Sequence, residues 1–225
     1  MFDFTRLFSS RTAAFIGLDI GRRAVRMVEL SRHKSGAFVL QGYGSEHLAD
    51  GAVTDDGIDD LEDVMHAASR LWERSGFKAR KAAIGIPPAA VTEHTFPADR
   101  AHAEARLEVL AREHITPLLD YRVDDACIDF CIVGAASQLA GQVDVLVAAT
   151  RKENVEDRLA VAEFLKLQVI VAETESYAAH AVHAAGGRAH PFADMLLAGG
   201  IDAHRLQSEA SDYLVACGLA LRGFD

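Results

Sequence analysis

The turn from Asp19 to Gly21 is the stretch of this sequence with the clearest chemical potential. It separates an apolar run at residues 15–20 from a second apolar run that begins at Val25. Short apolar runs rich in branched and aromatic residues are typical of strands, and glycine gives a tight turn the backbone freedom it needs. Backbone N–H groups in such a turn can surround a phosphate while the aspartate holds a hydrated Mg²⁺ ion. An ordinary hairpin fits the same residues, and both interpretations stay open on this pattern alone.

The cysteines and histidines favour structural or surface roles. Cys127 and Cys131 are four residues apart on one predicted strand, so they share a face at a distance of about 13 Å, too far for a common metal or a disulfide. We predict that both are small buried hydrophobic side chains. His180 and His183 share a helix face with His190 nearby, and we predict surface histidines there rather than a metal site.

The composition limits the class of protein. The chain has 225 residues, of which 50% are apolar and 25% charged, and its formal net charge is −10. These values are typical of a globular protein with enough length for a core. Nucleic acids and anionic lipids need a basic face, so we expect neither as a main partner. The three cysteines are too few for a disulfide framework and no apolar run could span a bilayer, so we predict a cytoplasmic protein. Residues 1–14, which precede the first apolar run, are predicted to form an N-terminal arm.

The elements that would position the Asp19 turn follow from the spacing of the apolar residues. The second strand of the hairpin alternates, with Met27 predicted to face inward and Val28 outward, as in a half-buried strand. Turn residues, helical spacing and a double proline mark the next boundaries. The elements that follow are a strand at 37–44, a helix at 55–76 and a strand at 81–86, which gives the order β-β-β-α-β.

Residues 89–167 are predicted to form an inserted β-α-β-β-α unit. Its strands are predicted at 91–96, 126–133 and 142–150, and its helices at 99–115 and 151–167, with Pro97 ending the first strand. The chain then returns to the first sheet. The predicted elements there are a buried strand at 168–172, an alanine-rich helix at 173–185 and a final helix at 208–222 with a broad apolar side.

Stretches in three parts of the chain resemble one known family. Residues 17–31 read GLDIGRRAVRMVELS, residues 146–155 read LVAATRKENV, and the pieces PFADM (191–195) and GLALR (218–222) lie near the end. Together they resemble the type IV pilus assembly protein PilM family, which are actin-like ATPases related to the cell-division protein FtsA. The resemblance runs over nearly the whole chain.

The resemblance implies an α/β fold of the actin-like (ribonuclease H-like) kind. Subdomain 1A would comprise residues 15–88 and 168–225, and residues 89–167 would be the inserted subdomain 1C. An actin-like ATPase binds its nucleotide between two lobes, and each lobe contributes a phosphate loop. Since this sequence has no second strand–Asp-x-Gly–strand hairpin, we expect the second actin-like lobe to be largely absent.

ATP and Mg²⁺ are the cofactors that the resemblance implies. Asp19 would be the metal-side carboxylate, Gly21 the phosphate-loop glycine, and Glu175 the catalytic acidic residue that faces the attacking water. Arg22 and Arg23 stand where the family often has small polar residues, and would either add charge to the phosphate site or point to solvent. A single phosphate loop leaves its contacts screened by water, so we expect nucleotide binding to be weak or lost, with no turnover.

The function implied by the resemblance is that of a cytoplasmic scaffold at the inner-membrane face of the type IV pilus assembly platform. Its expected partner is the cytoplasmic N-terminal tail of the membrane protein PilN, held between subdomains 1A and 1C, with residues 81–88 and 168–172 as candidate regions of the groove. Other platform proteins are further expected partners. Two alternatives stay open: an ATPase that completes its second lobe by self-association, and a non-functional deletion product.

Overall fold

The computed structural model describes residues 14–135, 141–184 and 190–224, so the predicted arm before residue 14 lies outside the described residues. The described chain forms a six-stranded sheet and a three-stranded sheet, with helices packed on both. The strands are β1 (Phe15–Ile20), β2 (Ala24–Arg32), β3 (Phe38–His47), β4 (Lys81–Ile86), β5 (Val91–Asp99), β6 (Ala126–Ala135), β7 (Gln142–Arg151), β8 (Gln168–Thr174) and β9 (Leu196–Leu197). The helices are α1 (Leu61–Ser75), α2 (Glu104–Ile115), α3 (Lys152–Phe164), α4 (Glu175–Ala184), α5 (Ala203–Glu209) and α6 (Leu214–Leu221).

The larger sheet has the order β8-β4-β1-β2-β3-β9, and both of its faces are covered. β1 pairs in parallel with β4 and antiparallel with β2, so it lies inside the sheet. Helices α1 and α3 cover one face, and α4 and α6 cover the other. The predicted half-buried β2 is therefore wrong: Val28 is as fully buried as Met27, because α6 packs against it.

Local capping sets the ends of α1. The helix begins at Leu61 rather than at residue 55, since the side chain of Asp60 accepts a hydrogen bond from the Asp63 N–H at 2.9 Å and acts as the N-cap. Gly76 ends it in the left-handed conformation at φ 66°. The acidic residues that the sequence analysis placed in the first turn thus belong in part to the preceding loop.

The smaller sheet has the antiparallel order β5-β7-β6, with α2 on one of its faces. Pro97 does not end β5, which continues to Asp99. β5 is an edge strand with only β7 as its neighbour, and an edge position tolerates a proline because one side of the strand makes no ladder hydrogen bonds.

Helix α3 packs against the larger sheet. Val161 and Ala162 are completely buried in the same core as Ile16 and Leu18 of β1. The sequence analysis assigned this helix to the inserted unit, with a boundary at residue 167. From this packing we propose that the inserted unit ends with β7 instead, and that α3 belongs to subdomain 1A.

Strand β8 lies at the edge of the larger sheet and is half-exposed, so the predicted buried strand is wrong. Ile170 keeps 49% of its surface exposed, since β8 has β4 as its only described neighbour.

The predicted final helix is divided into two helices. A 3-10 turn at Ala210–Tyr213 separates α5 from α6, and α6 carries most of the buried residues, with Leu206, Ala210 and Tyr213 buried before it. None of the described helices is long and apolar enough to cross a bilayer.

Candidate functional site

The predicted site residues Asp19 and Glu175 come together at one edge of the larger sheet. Strands β1, β4 and β8 run parallel, so their carboxyl ends meet at this edge, where ligands of α/β sheets bind. Asp19 is near the end of β1, and Glu175 is the first residue of α4, directly after β8. Gly85 of β4 gives Glu175 its space, because a Cβ there would lie 3.1 Å from the Glu175 Cγ.

Asp19 is a buried carboxylate with a cation beside it. It pairs in register with Arg26 of β2, whose Nη1 lies 3.7 Å from the Asp19 Oδ2. Burial raises the pKa of Asp19 to about 6, against the opposing charges of Arg26 and Arg158. With this pKa, Asp19 is mostly ionised at pH 7 and becomes protonated as the pH falls through about 6.

Glu175 has a similar environment without a direct partner. Burial and, second, the charge of Asp19 raise the pKa of Glu175 to about 7. Its Oε1 atom is buried and accepts no hydrogen bond from any described residue. Glu173, two residues earlier, is held elsewhere by an ion pair of 3.0 Å with Arg222.

Arg158 of α3 is a member of this site that the sequence analysis missed. It is completely buried, and its Nη1 donates a hydrogen bond of 3.0 Å to the Asn154 carbonyl oxygen. Its Nε and Nη2 atoms have no partner among the described residues. Burial lowers the pKa of Arg158, while the charges of Glu175, Asp157 and Asp19 oppose that shift.

A signal for Arg158 was present in the sequence. It follows Val155 by three residues and precedes Ala162 by four, so it lies on the predicted core face of the helix. A long charged side chain at such a position is rarely buried without a charged partner. The sequence does not reveal the charges that compensate Arg158, because Asp19 and Glu175 are not its neighbours in the sequence.

The turn at Gly21 differs from the expected phosphate cradle. The Gly21 N–H donates to the Ala24 carbonyl oxygen at 3.1 Å, so the turn itself uses this donor. The φ angle of Gly21 lies outside the left-handed region, so the expected need for glycine flexibility is wrong. A Cβ at Gly21 would lie 3.3 Å from the Arg26 Nη1, which places the Arg26 guanidinium close over the turn.

Arg22 and Arg23 point to solvent. Arg22 donates to both carboxylate oxygens of Asp55, at 3.0 and 3.1 Å, and both side chains of this pair are 66% exposed. With Arg26 they line a polar surface cleft of about 660 Å³. Both arginines are exposed, and their contribution to a phosphate site stays a prediction.

The charges around Asp19 and Glu175 bear on how Mg²⁺ and a nucleoside triphosphate would be received at this edge. Asp19 and Glu175 supply carboxylate oxygens, which Mg²⁺ prefers. Arg26 and Arg158 already place positive charge beside them, however, and a metal cation would be repelled by that charge. Across residues 14–135, 141–184 and 190–224, no three His, Cys, Asp or Glu side chains converge to hold a metal. The cofactor roles of Asp19, Gly21 and Glu175 stay predictions.

A second candidate site is the groove between the smaller sheet and β8 with α4. Helix α2 covers only one face of the smaller sheet, and the other face is open towards β8. Two adjoining cavities of about 260 and 250 Å³ form the groove. The walls of the groove include Ile86, Val91, Glu93, Cys127, Asp129, Cys131, Leu146, Ala148, Ala172, Glu173, Tyr177 and Arg222.

The groove explains why the predicted burial of two cysteines is wrong. Cys131 is exposed and Cys127 is half-buried, because both lie on the open face of the smaller sheet. Of the histidines predicted at the surface, His180 and His183 are exposed and His190 is half-buried.

Comparisons with known proteins agree on the architecture. Residues 17–188 match the family model described as type IV pilus assembly protein PilM. A solved structure described as the PilM-PilN type IV pilus biogenesis complex matches with a TM-score of 0.78 at 14% identity, over 95% of this chain and 99% of that chain. The cytoplasmic domain of EpsL, an inner-membrane component of the type II secretion system of Vibrio cholerae, is similar only in part, with a TM-score of 0.45 and 12% identity over 74% of this chain and 59% of that chain. The expected actin-like α/β fold is confirmed, whereas the absence of a second lobe stays a prediction.

Proposed function

Because this chain belongs to the type IV pilus assembly protein PilM family, we propose that it is a scaffold that binds the cytoplasmic N-terminal tail of a PilN protein. The solved structure with the matching fold is a PilM chain from a complex with PilN, which supports this partner. The proposed location is the cytoplasmic face of the inner membrane, where other platform proteins also hold the scaffold. Type IV pilus assembly is then the process it serves.

The groove is the observation that carries the proposal. Its walls include the apolar side chains of Ile86, Val91 and Leu146, and Ala148 lines both of its cavities. Beside it, β8 is the last described strand of the larger sheet, so one edge of β8 has unpaired backbone donors and acceptors. An extended peptide can add to such an edge while its side chains enter adjoining pockets.

Titration with a PilN tail peptide tests the proposal. We expect the labelled peptide to bind the full chain more tightly than a scrambled peptide in fluorescence anisotropy. Ala148→Arg places a long side chain in the groove and should weaken binding at least tenfold. Val109→Arg is the matched control, since Val109 is exposed on α2, on the covered side of the smaller sheet. Equal binding of the two peptides, or no effect of Ala148→Arg, would refute the proposal.

Nucleotide binding is proposed to be weak. Two observations support this: the Gly21 N–H already donates to the Ala24 carbonyl oxygen, and arginines lie beside Asp19. Calorimetric titration with Mg-ATP to millimolar concentration should therefore give no saturable heat. The carboxylates of Asp19, which is buried, and Glu175, which is half-buried, favour the alternative of an ATPase completed by self-association. Saturable, Mg²⁺-dependent binding that is lost in Asp19→Ala, together with ATP-dependent dimers, would establish that alternative.

The third possibility, a non-functional deletion product, makes a different prediction. Such a chain would expose apolar surface meant for a missing lobe and would aggregate. The proposed scaffold should instead elute from size-exclusion chromatography as one sharp monomer peak. Broad or void-volume elution would favour the deletion product.

A further inference from the structure

We propose that the groove recognises a basic side chain flanked by apolar ones, and that Glu93 and Asp129 are the residues that select it. This inference rests on the proposed function, because it assumes that the groove holds a peptide. It adds the chemical class of the peptide and the specificity-determining residues.

Glu93 and Asp129 lie in one row across the smaller sheet. Glu93 of β5 pairs in register with Ala148 of β7, and Asp129 of β6 pairs with the same Ala148 from the other side. The three side chains therefore share the open face. Neighbouring strands are about 4.8 Å apart, so the backbones that carry the two carboxylates are about 10 Å apart, with the small Ala148 side chain between them.

The acidic side chains that line the groove outnumber the basic ones. Glu93, Asp129 and Glu173 all line it, and Arg222 is the only lysine or arginine among its described lining residues. Arg222 is committed to Glu173 by an ion pair of 3.0 Å. Within the described chain, neither Glu93 nor Asp129 forms an ion pair, and Asp129 accepts one hydrogen bond, from the Phe130 N–H.

The raised pKa values of two neighbouring groups are consistent with a negative potential in the groove. The pKa of the Cys131 thiol is raised by burial and then by the charges of Asp129, Glu173 and Glu93. The pKa of Tyr177, across the groove on α4, is raised by burial and then by Cys131, Glu93 and Glu173. Since Cys131 and Tyr177 belong to different elements, the fields of these carboxylates overlap in the space between the walls.

A basic side chain is the ligand whose shape fits this arrangement. Among the described residues, no three His, Cys, Asp or Glu side chains are grouped here to hold a metal ion. The long stem of an arginine or lysine can pack along Ala148 and Leu146 while its charged end reaches a carboxylate. Apolar neighbours of that residue in the peptide would contact Ile86 and Val91.

The test compares two synthetic peptides of identical apolar sequence, one with a central arginine and one with glutamate in its place. The wild-type chain should bind the arginine peptide at least tenfold more tightly, with an affinity that falls as salt is raised. The Glu93→Gln/Asp129→Asn double variant should lose most of this preference. The control double variant Glu108→Gln/Glu113→Gln removes the same net charge from exposed positions of α2 and should keep the preference.

The outcomes separate this inference from the proposed function. Equal binding of the two peptides to the wild-type chain would overturn the inference, as would equal loss in the two double variants, which indicates net charge alone. A PilN tail that binds no better than its scrambled version would refute the proposed function, because both of those peptides contain the same basic residues. Thermal melts of both double variants should match the wild-type melt, since neither carboxylate is buried.

Discussion

At the scale of residues, the site at the end of β1 is a group of buried charges that compensate one another. Asp19 and Glu175 lie near Arg26 and Arg158, and both carboxyls have raised pKa values because burial outweighs the nearby positive charges. Removing one member of such a group leaves an uncompensated charge in a medium that solvates it poorly. The stability of the fold is therefore coupled to the protonation and completeness of this group.

The first prediction concerns pH. The folded-state pKa of Glu175, about 7, lies above its ordinary value of 4.5, so the folded state binds the proton more tightly than the unfolded state. The stabilisation from this proton is fully present below pH 4.5 and is lost as the pH rises through about 7. In urea unfolding, the wild-type chain should gain on the order of 1 to 3 kcal/mol relative to Glu175→Gln between pH 8 and pH 5. Parallel pH profiles of the two chains would contradict this prediction.

The second prediction concerns Arg158. Arg158→Met keeps most of the side-chain volume but removes the buried positive charge, so we expect the free energy of unfolding to fall by about 3 to 5 kcal/mol at neutral pH. The matched control is Arg22→Met, which breaks an exposed ion pair and should cost about 1 kcal/mol or less. Denaturant titration at pH 7.5 measures both changes, and equal losses would rule out a special role for Arg158.

The sequence predicted half of this charged group. The turn between two apolar runs points to Asp19, and the resemblance to the PilM family points to Glu175. Arg26 alternates with Met27 and so falls on the predicted outward face of the strand with Val28, and no motif marks Arg158 within its helix. Both errors have one cause: the sequence does not show which face of a strand or helix a distant element will cover.

At the scale of elements, helix α6 is fitted to the sheet through backbone contacts. Gly17 of β1 faces α6 so closely that a Cβ would lie 1.8 Å from the Ala216 carbonyl oxygen. Gly218 of α6 faces α4 in the same way, at 1.8 Å from the Ala178 carbonyl oxygen. No side chain larger than hydrogen fits at either position without moving an element.

The third prediction follows from this fit. Gly218→Ala should destabilise the chain by several kcal/mol, because α6 must withdraw from α4 and uncover apolar surface. Gly134→Ala is the control, since Gly134 has open space around its Cα and a φ outside the left-handed region. Thermal unfolding should show a large drop for Gly218→Ala and little change for Gly134→Ala. Equal melting temperatures would show that α6 can shift without cost.

Element predictions succeeded where the local sequence was sufficient. The bounds predicted for β1 and β4 are those observed, because each is a short apolar run with turn residues or prolines beside it. The start of α1 depended on which of several acidic residues caps it, and the burial of β8 depended on its place at the sheet edge. Neither property is encoded in the residues of the element itself.

At the scale of the whole molecule, the inserted unit is joined to the larger sheet by two adjacent chain segments. Val91, at the start of β5, pairs in register with Thr150 near the end of β7. The two connections thus lie side by side, so we expect that the unit can be deleted and the two chain ends joined by a short turn. Helix α3 would be kept in such a deletion, because its apolar face is part of the core of the larger sheet.

The fourth prediction uses this connectivity. A variant in which residues 92–149 are replaced by a Gly-Gly turn should keep the circular dichroism of a folded α/β domain and dispersed amide resonances. It should lose binding of the PilN tail peptide, because the groove loses one wall. A variant that unfolds would contradict the assignment of α3 to the larger sheet, and a folded variant that still binds the peptide would contradict the proposed groove.

The position of α6 over β1 and β2 has a consequence for biosynthesis. β1 and β2 are synthesised long before α6, the helix that covers one of their apolar faces. Nascent chains must therefore remain incompletely folded, with exposed apolar surface, until α6 has been synthesised. We expect ribosome-bound chains halted before residue 214 to recruit holding chaperones, and chains released after α6 has formed to dissociate from them.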